Sequence, residues 1–252
     1  MITRGKNFLK NAARVELSTK SEPCPRGLIE TAQLGNLAAN VAEHGYAFKE
    51  RWQPDVSAEA IAAAVGQTLS LSGVAAIHNL QVKAKTKPNK YSGIYGLGVF
   101  PLHTDLAHVR TPPRYLMLRC VRGYGTVSTD LVDGFALVGR IGRSVLSNAL
   151  VKPRRPLNGS TPLYSLYRPP TPVRHAILRW DEVFIVPASP AGVRGFAAIA
   201  KELGPIPRIS ISLQFPGDTL WIDNWRMLHG RSAVSADQSD RIIQRAYFGE
   251  LY

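Results

Sequence analysis

The sequence predicts a mainly β protein, a sandwich or jelly roll with flanking helices, on three observations. From Tyr91 onward short strand-like runs alternate with turn residues. Ile209, Ile211, Leu213 and Phe215 alternate with Ser210, Ser212 and Gln214, the period of a half-buried strand. Helical spacing is confined to the stretch before residue 70 and to segments set between the strands. With 252 residues, 45% apolar and 19% charged, the chain is sized and composed for a single domain over residues 1–252 and is not a disordered chain.

In chain order, residues 1–26 are polar and basic and read as an N-terminal arm or edge strand. Residues 28–43 carry Leu28, Ala32, Leu34, Leu37, Ala38 and Val41 at helical spacing. A short extended piece, GYAFKERW, follows. Ser57 then caps a helix predicted to run to about Leu69 through Ala58, Ile61, Ala62 and Val65. Residues 114–121 read as a strand, and about Phe135 to Leu146 as a helix. Six prolines within 153–172 predict a long exposed loop, with Asn158-Gly159 a tight turn inside it. Ser189-Pro190 and Gly204-Pro205 bracket another helix. Residues 135–208 as a whole read as a helix and Pro-rich, lid-like insertion. No internal repeat points to a solenoid or propeller.

Lys plus Arg number 31 against 18 Asp plus Glu, a net charge of +13. The excess is local, because residues 60–180 hold sixteen bases and only Asp105, Asp130 and Asp133 as acids. Such a field favours anionic ligands, or nucleic acid, yet no arginine-rich run or RNA-recognition sequence accompanies it. Cys24 and Cys120 cannot build a disulfide framework, so a reducing compartment is expected. The longest apolar runs, such as Ala60–Val65, fall short of a membrane span, and the N-terminus has no apolar signal core. Arg4, Lys6, Lys10 and Arg14 give it only a faint targeting look, so a cytoplasmic location is expected.

The chemistry-bearing residues start with His103-Thr104-Asp105. On an extended strand, positions i and i+2 project to one face, so an imidazole and a carboxylate could grip one ion. His229, within DNWRMLHGR, suits the third ligand. Two histidines and a carboxylate on one face of a metal leave sites open, as in non-haem Fe(II) oxygenases. Arg241 and Arg245, four apart on a strand-like RIIQRAYF, would face one side and offer forked donors to a carboxylate. The alternative for them is a surface pair bridging Asp237 or Asp240. Thr129 could add a hydroxyl for the same carboxylate, with Thr126 and Ser128 as rivals. His108 is read as structural, with a place beside the metal or substrate as the alternative. His44, His78 and His175 are read as structural, Trp221 and Trp225 as core. Asn89, Lys90 and Tyr91 are read as substrate-contacting or as a solvated loop.

These residues carry a resemblance. PLHTDLAHVRTPPRYLMLRC with STDLVDG, and GDTLWIDNWRMLHGRSAV with RIIQRAY, are similar to the signature of the taurine dioxygenase-like (TauD/TfdA-type) Fe(II)/2-oxoglutarate oxygenases. GYAFKERWQPDVSAEAIAAAVGQ resembles the family's opening strand and helix, so the match spans most of the chain from Gly45. The resemblance implies a double-stranded β-helix, the jelly roll of clavaminate synthase-like proteins. It implies Fe(II) held by His103, Asp105 and His229, with 2-oxoglutarate and O2 as cosubstrates. Thr129 and Arg241 match the residues that hold the distal carboxylate of 2-oxoglutarate, and Arg245 matches a second arginine near cosubstrate or substrate.

The implied activity is that of a dioxygenase oxidising a C–H bond of a small molecule, by hydroxylation or a related oxidation, with release of succinate and CO2. Because 2-oxoglutarate needs one strong clamp, Arg245 is expected to be spare for an anionic substrate. Neither a membrane nor nucleic acid is expected as partner. The competing readings are a non-catalytic ligand-binding jelly roll and a nucleic-acid-directed oxygenase. The 153–172 stretch aligns with nothing in the family, which leaves the substrate open.

Overall fold

The computed structural model describes residues 31–70, 75–82 and 94–252. The arm expected over 1–26, together with Asn89, Lys90 and Tyr91, lies outside the described residues.

The chain opens with α1 (Thr31–His44), β1 (Tyr46–Lys49), α2 (Ala58–Val65), β2 (Gly66–Thr68) and β3 (Ile77–Gln81). Then come β4 (Phe100–His103), β5 (Tyr115–Arg122) and β6 (Ser128–Asp133). An insertion follows with α3 (Gly134–Ile141), α4 (Arg143–Asn148), β7 (Leu150–Pro153), β8 (Tyr164–Ser165), β9 (Tyr167–Arg168), β10 (Ile177–Leu178), β11 (Ile185–Pro187) and α5 (Pro190–Glu202). The last strands are β12 (Ile209–Ser212), β13 (Thr219–Asp223), β14 (Met227–Arg231) and β15 (Ile242–Leu251).

Two antiparallel sheets form the framework. The larger runs β1-β13-β5-β15-β2, with β3 also paired to β15, and the smaller runs β12-β6-β14-β4. From β3 to β6, and again from β12 to β15, each successive strand lies in the other sheet. That alternation is the double-stranded β-helix, and it brings residues distant in sequence to one inter-sheet space.

Three apolar clusters follow from this layering. Leu116, Leu118, Leu220, Ile222 and Ile243 of the larger sheet meet Leu131 of the smaller one between the sheets. The opposite face of the larger sheet, through Tyr115, Met117, Trp221 and Phe248, is covered by Leu37, Val41, Ile61 and Val65 from α1 and α2. The outer face of the smaller sheet, through Leu102, Val132 and Leu228, is covered by the insertion's Leu137, Leu146, Leu166, Trp180 and Ile199. Both sheets are therefore apolar on two faces, and each buried aliphatic side chain contributes about 1.5–3 kcal/mol.

Most predicted elements are present, with four corrections. The Ser57 hydroxyl accepts from the Ala60 N–H as expected, but α2 ends at Val65 rather than near Leu69. There the chain turns extended and pairs with β15, and a side chain at Gly66 would meet the Glu250 carbonyl at 2.3 Å. The helix expected over 135–146 is two helices, because Gly142 takes φ +107°, which breaks the first. The 153–172 segment is not a free loop: Leu166 and Tyr167 are buried, and β8 pairs with β7. Its Asn158-Gly159 turn does form, with Leu157 and Ser160 exchanging backbone hydrogen bonds. The strand over 209–215 stops at Ser212. As an edge strand it leaves Ile209 41% exposed and buries only Leu213, just past its end. No helix among the described residues is long and apolar enough to cross a membrane.

Candidate metal centre

His103, Asp105 and His229 come together in the inter-sheet space. All three are buried, and one ligand atom from each lies within 4.8 Å of the others. His103 ends β4 and stands opposite His229 of β14, with ring centroids 4.4 Å apart. Asp105 is not on the strand as the sequence spacing suggested; it sits two residues further, in the turn that follows. Its Oδ1 is 3.3 Å from His103 Nε2, and its Oδ2 is 3.9 Å from His229 Nε2.

That turn is strained and heavily tied. Leu106, directly after Asp105, has φ +56°, a left-handed conformation costly for a leucine. Three sets of bonds hold it. Asn224 accepts the Asp105 N–H at 2.7 Å and donates to the carbonyls of Asp105 and Pro113. Arg179, buried in the insertion, donates to the carbonyls of Ala107, Val109 and Arg110. Thr104, between the two ligands, exchanges hydrogen bonds with the backbone of Trp180.

The protonation states suit a metal. His103 Nδ1 lies 3.0 Å from the Pro101 carbonyl, a contact that orients the ring so that Nε2 faces Asp105 and the site. Burial, and next His103 beside it, push the His229 imidazole down to about 3, so it is neutral. Burial acts to raise the Asp105 carboxyl, but the Arg245 charge and then the His103 hydrogen bond outweigh it and hold the group well below its ordinary range. Two imidazoles and a carboxylate are the donor set that a divalent iron takes.

The other predicted residues separate by geometry. Arg241 precedes β15 and is 6% exposed, yet its guanidinium has no hydrogen bond or ion pair among the described residues. Burial, and then Arg231 nearby, lower its pKa to about 10, so it keeps its charge near neutrality. An unpaired buried guanidinium is costly, and a carboxylate of 2-oxoglutarate is the kind of anion that would satisfy it. Thr129 is buried and pairs in register with Arg231, two residues along from the Leu131–His229 pair and on the same face. Its rivals face elsewhere: Thr126 bonds Gln238 on the surface and Ser128 donates to Asp130. The surface-pair alternative for the arginines does not hold for Asp240, which is taken by Arg122 and Tyr124.

Arg245 is not spare as expected. Its Nη1 bonds Asp105 Oδ2 at 3.1 Å, because the turn after β4 swings the carboxylate across to the larger sheet. Sequence reasoning also missed Tyr247, whose hydroxyl donates to the same oxygen at 2.8 Å, and Asn224. Tyr247 follows Arg245 by two residues, so strand alternation could have found it. Among the remaining histidines, His108 packs against Phe184 with a buried, unpartnered Nδ1, while His44, His78 and His175 are exposed. His78 stands directly opposite Arg245 in the β3–β15 register. Trp221 is core as predicted, but Trp225 is half-buried and donates to the Pro112 carbonyl.

No family model matches the chain. It is 25% identical over 198 residues to human gamma-butyrobetaine dioxygenase, covering 68% of this chain and 49% of that protein. It is 30% identical over 166 residues to L-lysine 3-hydroxylase of Catenulispora acidiphila, covering 58% of this chain and 44% of that protein. The chain thus spans about half the length of the curated relatives it matches. Its fold is that of the non-heme iron oxygenase OrfP solved with Fe and alpha-ketoglutaric acid: TM-score 0.67 at 18% identity, covering 89% of this chain and 82% of that one. In sequence the chain is thus similar to two dioxygenase-type hydroxylating enzymes, in fold to a non-heme iron oxygenase, and it carries a buried His103–Asp105–His229 set that could hold a metal ion.

Proposed function

We propose that the protein is a non-haem iron, 2-oxoglutarate-dependent dioxygenase that oxidises a C–H bond of a small molecule. One observation carries this reading: His103, Asp105 and His229 form a buried set whose ligand atoms lie within 4.8 Å of one another, and the fold also buries the Arg241 guanidinium with no partner among the described residues. His103, Asp105 and His229 would hold the iron, and Arg241 with Thr129 the far carboxylate of 2-oxoglutarate. Bound, the iron and 2-oxoglutarate supply the oxidising power drawn from O2, with succinate and CO2 released.

The chain's own residues do the rest. The sheets and their apolar clusters exclude water from the reacting space. Arg241 orients the cosubstrate by a forked contact that a lysine would make only as a point charge. Asn224, Arg179 and Trp180 fix the turn that carries Asp105, so the ligand is in place before metal arrives.

We infer further that the substrate bears an anionic group, a carboxylate, sulfonate or phosphate. The support is the sign of the charge: Arg245 lies against Asp105 at 3.1 Å, and Arg231 and Arg241 are buried or half-buried cations close enough to repel each other. Arg245 would serve the substrate from its place against Asp105 rather than as a free cation. The names of the similar proteins include an amino acid hydroxylase and a betaine dioxygenase, and their substrates head the panel.

The test loads purified protein with Fe(II) anaerobically, adds 2-oxoglutarate and O2, and follows succinate over a panel of anionic, zwitterionic and neutral small molecules. Substrate-dependent succinate from an anionic or zwitterionic member is expected. Stimulation by neutral or cationic members alone removes the anion reading, and failure to bind Fe(II) removes the dioxygenase reading.

A further inference from the structure

The two oxygens of Asp105 have different surroundings. Oδ1 faces His103 Nε2 at 3.3 Å, on the smaller sheet's side of the site. Oδ2 lies 3.9 Å from His229 Nε2 and accepts the Tyr247 hydroxyl at 2.8 Å and Arg245 Nη1 at 3.1 Å, the last two from β15 of the larger sheet. Tyr247 and Arg245 are two residues apart on the inner face of β15, and the guanidinium carbon lies 4.7 Å from the centre of the tyrosine ring. The ring therefore braces the arginine as well as donating in its own right. Tyr247 is 6% exposed and packs with Leu116, Leu118 and Ile243, so its hydroxyl has little freedom to leave the carboxylate.

We propose that Tyr247 is a positioning residue for the metal carboxylate: it ties Oδ2 to the larger sheet and so holds Asp105 in one rotation toward the ion. This rests on the metal-site reading above. A carboxylate free to rotate could close on a metal with both oxygens and take up a position that 2-oxoglutarate or O2 requires. Arg245 donates to the same oxygen from a side chain that is 22% exposed and lies over the tyrosine ring. Partners of this kind around ligating groups typically alter metal affinity or activity by about 10–100-fold.

The experiment compares wild type with Tyr247→Phe, which keeps the ring and removes the hydroxyl. Co(II) is titrated in competition with a chelator, its visible absorption spectrum is recorded, and thermal melts are taken with and without metal. The expected result is Co(II) affinity weakened about 10-fold or more, a changed ligand-field spectrum and a smaller metal-induced rise in Tm, with the metal-free melt little altered. A variant whose affinity and spectrum match wild type would show that the hydroxyl only satisfies itself, and the proposal falls. A variant that no longer folds without metal makes Tyr247 a determinant of the fold instead, which also overturns it. Wild type that binds no Co(II) at all sinks the metal-site reading beneath it, so the two failures are told apart.

Discussion

Asn224 grips the backbone of Asp105 from both sides, accepting its N–H at 2.7 Å and donating to its carbonyl at 3.0 Å. Replacing Asn224 by alanine leaves that buried N–H and the Pro113 carbonyl without partners, at about 1–3 kcal/mol for each group left unsatisfied. The strained Leu106 is then free to relax, and Asp105 moves with it. Asn224→Ala is expected to lower Tm and to weaken metal binding together. Denaturant unfolding and a metal titration check this, and a variant that is destabilised but binds metal normally would refute the link.

The ligand histidines should behave differently. His103→Ala and His229→Ala remove a donor, while the apolar clusters that carry the fold keep their contacts. Stoichiometric Fe(II), Zn(II) or Mn(II) binding should disappear, since imidazole and carboxylate are not selective for iron. Metal content after dialysis is the measurement, and retention of full occupancy by either variant would remove that residue from the ligand set.

Arg241 makes a two-sided prediction. Without 2-oxoglutarate its unpaired charge is a burden, so Arg241→Met should raise the stability of the ligand-free protein. With 2-oxoglutarate, Arg241→Ala should cost about 2–5 kcal/mol of binding, and Arg241→Lys should recover only part of it. Calorimetric titration and melts together test this; normal 2-oxoglutarate affinity in Arg241→Ala would exclude the clamp.

Asp223 sets a pH dependence away from the ligands. Burial raises its carboxyl to about 6, against the opposing pull of Arg114, whose Nε is 4.0 Å away. A folded pKa above the unfolded one means the protonated group favours the fold. Its contribution is therefore complete below about pH 4 and lost as pH rises through about 6. Asp223→Asn should remove about 3 kcal/mol of that pH-dependent loss, scaled from the size of the pKa change. Denaturant midpoints at pH 4, 5, 6 and 7 give the comparison, with parallel curves for the two proteins as the contrary result.

The sequence made the candidate ligands legible because each sits in a short motif with its own spacing. His103 and Asp105 are two apart, and His229 lies in DNWRMLHGR. Strand alternation put Arg241 and Arg245 on one face; the structure has Arg245 on the inner face of β15 and Arg241 buried just before that strand begins. What alternation could not supply was the far partner of each group. That Arg245 and Tyr247 reach Asp105 depends on how two sheets face each other, across 140 and 142 residues of sequence. The Pro-rich segment misled for a related reason. Proline predicts the absence of helix, but Leu166 and Tyr167 find their burial against elements fixed by the whole insertion. The charge excess suggests a field for anionic ligands, yet two of its bases, Arg119 and Arg179, are interior, held by backbone carbonyls and ion-paired with no acid among the described residues.

The paired hydrogen bonds between Thr104 and Trp180 join the ligand turn to the insertion. The energy released when an ion docks is then shared with a region that never touches it, since whatever steadies the turn also steadies Trp180 and the helices packed around it. Metal loading should slow amide exchange at Leu178, Arg179 and Trp180, on the outer side of the smaller sheet. By reciprocity, a change of sequence in the insertion that loosens Trp180 exacts a toll on iron retention, so this part of the chain is not free to vary for substrate choice alone.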